Sequence, residues 1–209
     1  MDKLDGIVNY LILNCGQIND VSLYHGKTGV ILALMMYARS SDCTPIKDFA
    51  DEYFLEIYDG IHDGMPIGIE YGLAGIGYGV TIMKKAGLID CDLNDVLFNI
   101  DSKIMETDPR RCKEMSFRKG LAGAMSYINL RMAVEGQVSS FDSMYLNELA
   151  MRFSSAGESI HTEVSKTMID DIDAPSWKED DYISKLIGIH NGSAYYLIKS
   201  VYDKVLSNK

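Results

Sequence analysis

Apolar side chains recur at helical spacing along most of the chain. Ile46, Phe49, Ala50, Tyr53, Ile57 and Ile61 keep to one face of a predicted helix, with Pro45 near its first position, where a missing N–H costs little. Leu93, Val96, Leu97, Ile100 and Ile104 do the same after Asp92, a predicted N-cap, with Asp95 in the first turn favouring the helix dipole. Three further patterns follow glycines: Val30, Leu34 and Tyr37; Tyr78, Ile82 and Ala86; Tyr127, Leu130 and Val134. Residues 141–153 and 178–187 read as two more helices. The alternation typical of strands is almost absent, so the pattern predicts an all-α protein.

The glycine-led helices belong to an internal repeat. Ser22-Leu-Tyr-His-Gly-Lys-Thr-Gly29, Gly68-Ile-Glu-Tyr-Gly-Leu-Ala-Gly75, Ser116-Phe-Arg-Lys-Gly-Leu-Ala-Gly123 and Gly188-Ile-His-Asn-Gly-Ser-Ala-Tyr195 align without gaps. Each has a small residue, an apolar one, two variable positions and a shared glycine. Gly26, Gly72, Gly120 and Gly192 are 46, 48 and 72 residues apart, and Gly29, Gly75 and Gly123 follow three residues later in the first three copies. The longer third interval leaves room for one more helix and turn. It contains a less regular insertion at about 157–177, with Trp177 as its expected anchor. Glycine-led helices apolar on every side must be buried on every side, whereas the half-charged helices between them can face water. Two concentric layers satisfy both demands. The expectation is one domain over residues 1–209, an α/α toroid or an incomplete ring of helical hairpins, with structural glycines where backbones approach closely.

Composition narrows the function classes. The 209 residues include 30 acidic and 20 basic side chains, a net charge of −10. That charge disfavours nucleic acid and anionic membrane surfaces as partners. The apolar run from Gly29 to Ala38 is too short to span a bilayer. Met1, Asp2 and Lys3 lead at once into an amphipathic stretch, so no leader peptide is expected. Cys15, Cys43, Cys91 and Cys112 stand far apart, the pattern of free thiols in a cytoplasmic protein.

The run Glu70-Tyr-Gly-Leu-Ala-Gly-Ile-Gly-Tyr-Gly79, the Gly-Leu-Ala-Gly run at 120–123 and the stretches 67–90 and 94–101 resemble small bacterial members of the lanthionine synthetase C-like (LanC-like) family. The resemblance covers most of the chain, weakly between about 135 and 180. It implies an α/α barrel whose inner-helix N-termini surround a cavity. In the family's cyclases that cavity holds zinc on two Cys and one His, and the zinc activates a thiol for thioether formation. The matching positions depart from that set. Two residues before the shared glycine stand Tyr24, Glu70, Arg118 and His190, and one before stand His25, Tyr71, Lys119 and Asn191. The resemblance therefore implies the fold but neither a metal nor another cofactor.

If the repeat is circular, His25, Glu70, Tyr71, Arg118, Lys119, His190 and Asn191 gather at one end of its axis as candidate cavity residues. They could bind a peptide or a small molecule, or merely cap the inner helices and satisfy their free N–H groups. His25, His190 and Glu70 also make a two-His-one-carboxylate set, although histidines at such junctions more commonly bond to backbone. The expected function is an atypical LanC-like protein that binds a peptide or a peptide-modifying enzyme without zinc-dependent cyclisation. A metal-independent enzyme and a purely structural interaction module are the alternatives. An open ring would leave inner-helix apolar surface bare, so a homodimer is expected in that case.

Overall fold

The structure, a computed structural model, describes residues 3–135, 140–156 and 158–207. Residue 157, the first of the expected insertion, and the outermost residues of the expected 1–209 domain lie outside that set. The described residues form α-helices and no strand. In chain order these are α1 Lys3–Cys15, α2 Lys27–Ser41, α3 Thr44–Asp59, α4 Leu73–Lys85, α5 Leu93–Val96, α6 Phe98–Met105, α7 Leu121–Glu135, α8 Ser143–Ser154, α9 Glu158–Ser165, α10 Met168–Asp171 and α11 Ala194–Ser207.

Local chemistry sets several of these boundaries. Pro45 sits in the first turn of α3. Asp92 accepts the Asn94 N–H at the start of α5, and Asp142 accepts those of Met144 and Tyr145 at the start of α8. Asp42, in the left-handed conformation at φ 52°, returns its N–H to Ala38 and ends α2.

Three sequence expectations need correction. The predicted helix over 93–104 breaks at Leu97, yet Leu93, Leu97, Ile100 and Ile104 all remain buried on one face. Residues 178–187 form only a 3₁₀ turn at Glu179–Asp181 and then run irregularly. Tyr182 and Ile187 pack on the core but Ile183 and Leu186 are exposed, so no helical face is buried, and the 186–187 carbonyls cap α11 instead. The insertion, conversely, is partly helical, containing α9 and α10.

The two layers follow from burial. Every residue of α2 from Lys27 to Ala38 and of α4 from Leu73 to Met83 is buried. Among these inner helices α11 packs on α2, α2 on α4, and α4 on α7. Outside them α3 covers α2, α6 covers α4, α9 covers α7, and α1 leans on both α2 and α11. The apolar residue in each repeat motif, Leu23, Ile69, Phe117 and Ile189, is fully buried among them. Tyr127 and Ile128 on α7 and Leu197 and Ile198 on α11, at the two ends of the row, are buried as well. The bare inner surface from which a homodimer was expected is therefore not found among the described residues.

Each inner helix is started by the loop before it. Lys27, Leu73, Leu121 and Ser193 donate their N–H groups to carbonyls seven residues back, on Asp20, Pro66, Glu114 and Leu186, at 2.7–3.1 Å. Ala74, Ala122 and Ala194 do the same to Ile67, Met115 and Ile187, and Thr28 uses its hydroxyl on the Val21 carbonyl. The N–H groups that open a helix are thus satisfied by main chain. This wrapping explains the glycines. A Cβ on Gly75 would lie 2.0 Å from the Ile69 carbonyl oxygen, and Gly29 and Gly123 face Leu23 and Phe117 in the same way.

Candidate functional site

The motifs meet through a main-chain ladder in which the residue two before each shared glycine participates. His190 donates its N–H to the Tyr24 carbonyl at 3.1 Å, Tyr24 to Glu70 at 3.4 Å, and Glu70 to Arg118 at 2.9 Å. The motifs therefore stand side by side in the order fourth, first, second, third. The glycine at the start of the second and fourth motifs makes room for this pairing. A Cβ on Gly68 would collide with the Arg118–Lys119 main chain, and one on Gly188 with that of Tyr24 and His25. The row curves enough for its ends to touch, since Arg118 Nη1 lies 3.3 Å from His190 Nε2.

The candidate side chains separate into those the ladder gathers and one it does not. His25 Nε2 is 3.1 Å from Glu70 Oε1, and Tyr71 stacks on the His25 ring with centroids 4.7 Å apart. His190 meets His25 edge-on at 5.4 Å and stacks on Tyr24 at the same separation. Arg118 stands against Tyr24 and His190. Asn191, at φ 54°, brings its side-chain amide within 3.1 Å of His190 Nε2. Lys119 is exposed at the rim and contributes charge rather than a contact to the cluster.

None of these side chains caps a helix. That expectation is corrected, because the preceding carbonyls already fill the role and Gly26 and Gly72 have no side-chain cap. Nor do they assemble a metal centre. Among the described residues no group of three or more His, Cys, Asp or Glu is placed to hold an ion, and His190 Nδ1 is taken by the Asp173 N–H at 3.0 Å.

No family model, curated protein or solved structure matches the chain.

What completes the cluster comes from the insertion. Asp171 Oδ2 accepts from Arg118 Nε at 2.8 Å and from the Tyr24 hydroxyl at 2.9 Å. Arg118 Nη2 reaches the Asp171 carbonyl at 2.7 Å and Asp173 Oδ2 at 3.2 Å, and the Asn191 N–H reaches the Asp173 carbonyl at 3.0 Å. Tyr24, Asp171 and Asp173 were not among the predicted site residues. The only sequence signal for them was Tyr24's station beside Glu70, Arg118 and His190, because an acidic run near a proline ordinarily reads as a solvated loop.

Electrostatics fixes which groups of the cluster donate and which accept. Burial and the Asp171 carboxylate push the Tyr24 hydroxyl far above its ordinary range, so it stays protonated and donates. Burial and the neighbouring Arg118 hold the His190 imidazole below its usual value, which suits a ring accepting an N–H on Nδ1. His25 and Glu70, with side chains 22% and 12% exposed, are partly covered, His25 by the half-exposed Tyr71 ring, while the Arg118 side chain is 31% exposed.

Proposed function

We propose that this protein is an atypical LanC-like protein that binds a peptide, or a segment of a peptide-modifying enzyme, at the curved row's axial end, without zinc-dependent cyclisation. The observation that carries the reading is the way Arg118, His190 and Asn191 hold a stretch of extended main chain. They engage its carbonyls, its N–H and its carboxylates together. Main-chain contacts of that kind suit peptides in general, and side-chain contacts select among them. The four thiols are free and no helix among the described residues is long and apolar enough to cross a membrane, in keeping with work in the cytoplasm.

A photo-crosslinking peptide library tests this reading on the full chain. Adducts are expected around Tyr71, His25 and Asn191, and their loss is expected in Arg118→Ala. Adducts scattered over other surfaces, or one equivalent of tightly held zinc in the purified protein, would overturn it. The His25–Glu70 contact favours one second reading, a metal-independent enzyme in which Glu70 orients His25 as a general base. Turnover of a bound peptide that Glu70→Gln abolishes, with binding retained, selects that reading. If no peptide binds, the module is structural.

A further inference from the structure

We infer that the segment Asp171–Ile172–Asp173 is an internal occupant of the axial seat, and that the seat's ligand in trans is an extended acidic peptide with two carboxylates one residue apart. The inference rests on the peptide-binding reading and gives it a ligand class.

The segment starts at the last residue of α10, Asp171, and Ile172, at φ −72° and ψ 130°, is extended. Asp171 and Asp173 both reach the Arg118 guanidinium, at 2.8 and 3.2 Å, while Ile172 between them is buried. A planar fork of donors suits paired carboxylates in a way a single ammonium does not. The main chain is read at the same time, with carbonyls of residues 171 and 173 and the N–H of 173 all engaged. In a chain of net charge −10, this seat presents the Arg118 guanidinium, with the exposed Lys119 at its rim and Glu70 paired to His25, so Arg118 is the group that an acidic segment gains on entering.

Leaving the seat costs the segment the burial of Ile172 and of the Asp171 side chain, 9% exposed. The segment lies in the insertion, outside the repeat. Its flanks are held separately on α11, where Lys199 donates to the Ile169 carbonyl and the Tyr196 hydroxyl to that of Trp177, whose ring also packs on Tyr196. The Asp173 carboxylate is 66% exposed while engaged. A tethered occupant faces the seat at an effective concentration of order millimolar. A seat about 99% filled this way binds an outside peptide roughly 100-fold more weakly than an open one.

Fluorescence anisotropy on the full chain tests the inference, using a labelled octapeptide matching residues 168–175 as probe. Wild type is compared with Asp173→Ala, an exposed change that leaves Tyr24 its partner, and with Asp171→Ala/Asp173→Ala, each checked for helix content by circular dichroism. The double variant is expected to bind the probe at least tenfold more tightly than wild type and the single variant by a smaller factor. Adding Arg118→Ala should erase the gain, and so should a probe with asparagine at both carboxylate positions. Equal binding by wild type and both strap variants overturns the inference. Tight binding of the asparagine probe by the strap variants removes the acidic ligand class while leaving a peptide seat. Folded variants that bind neither these probes nor the crosslinking library bring down both readings.

Discussion

Gly75→Ala isolates the close approach on which the inner layer depends. The added Cβ would lie 2.0 Å from the Ile69 carbonyl oxygen and 3.2 Å from Leu23 Cβ. Carbon and carbonyl oxygen settle at about 3.3 Å or more, so one must retreat by about 1.3 Å. Neither is a flexible side-chain tip. Ile69 precedes Glu70, whose N–H and carbonyl are both committed to the ladder, toward Arg118 and Tyr24. Overpacking of this kind costs about 1–3 kcal/mol, and loosening one ladder bond about 1 kcal/mol more. Alanine returns up to about 1 kcal/mol through its better helix propensity. The expected net destabilisation is about 1–4 kcal/mol, or a melting temperature lower by about 3–12 °C for a chain of this size. Urea unfolding followed at 222 nm measures it. Gly64→Ala is the control, because its new Cβ meets nothing closer than His62 Nδ1 at 3.4 Å, and its change should stay within about 0.5 kcal/mol. A Gly75→Ala protein as stable as wild type, or a control that loses as much, would refute the close-approach reasoning.

Three further outcomes are expected. Asp101→Asn should cost about 3–5 kcal/mol in denaturant unfolding, because Arg131, only 1% exposed, loses the carboxylate 3.6 Å away that also accepts from Tyr127. Stability should fall as pH drops below about 6.5, since burial and Arg118 depress the folded His190 value and the unfolded chain takes up that proton first. Asp173, His25, Glu70 and Tyr24 also face this ring, so the difference in melting temperature between pH 7 and 5.5 is to be compared with that of His190→Asn, which should show less of it. Burial pushes the Cys15 thiol up to about 11, outweighing the lowering by nearby Lys27, so it should resist Ellman's reagent at pH 8 until the protein is unfolded. Cys43 and Cys112, half-buried, should react in the native state.

Much of this architecture was legible in the residues because it is local. The starts of α3 and α5 follow from Pro45 and Asp92, and the glycine spacing marked which helices lie inside. The convergence of His25, Glu70, Arg118 and His190 was legible too, because equal stations in a repeat become neighbours when the repeat curves. What the residues did not reveal was long-range. Tyr24 and Asp171 are 147 positions apart, and no periodicity couples them. The same holds for residues 178–187, whose apolar spacing reads as helix although the carbonyls of Leu186 and Ile187 are needed to cap α11. The capping role expected of the residues before each glycine failed for a related reason. Main-chain carbonyls leave no signature in the identity of the residues that supply them.

The spatial order of the four motifs has a consequence for where this polypeptide can grow. The last copy pairs with the first, so the break in the ladder falls between the third and fourth copies, where the covalent chain is continuous. Closing a longer excursion across that break costs little, because the entropy of joining two fixed ends rises only slowly with contour length. The scaffold can therefore vary at the junction that overlies the charged cluster while the helical row beneath stays unchanged.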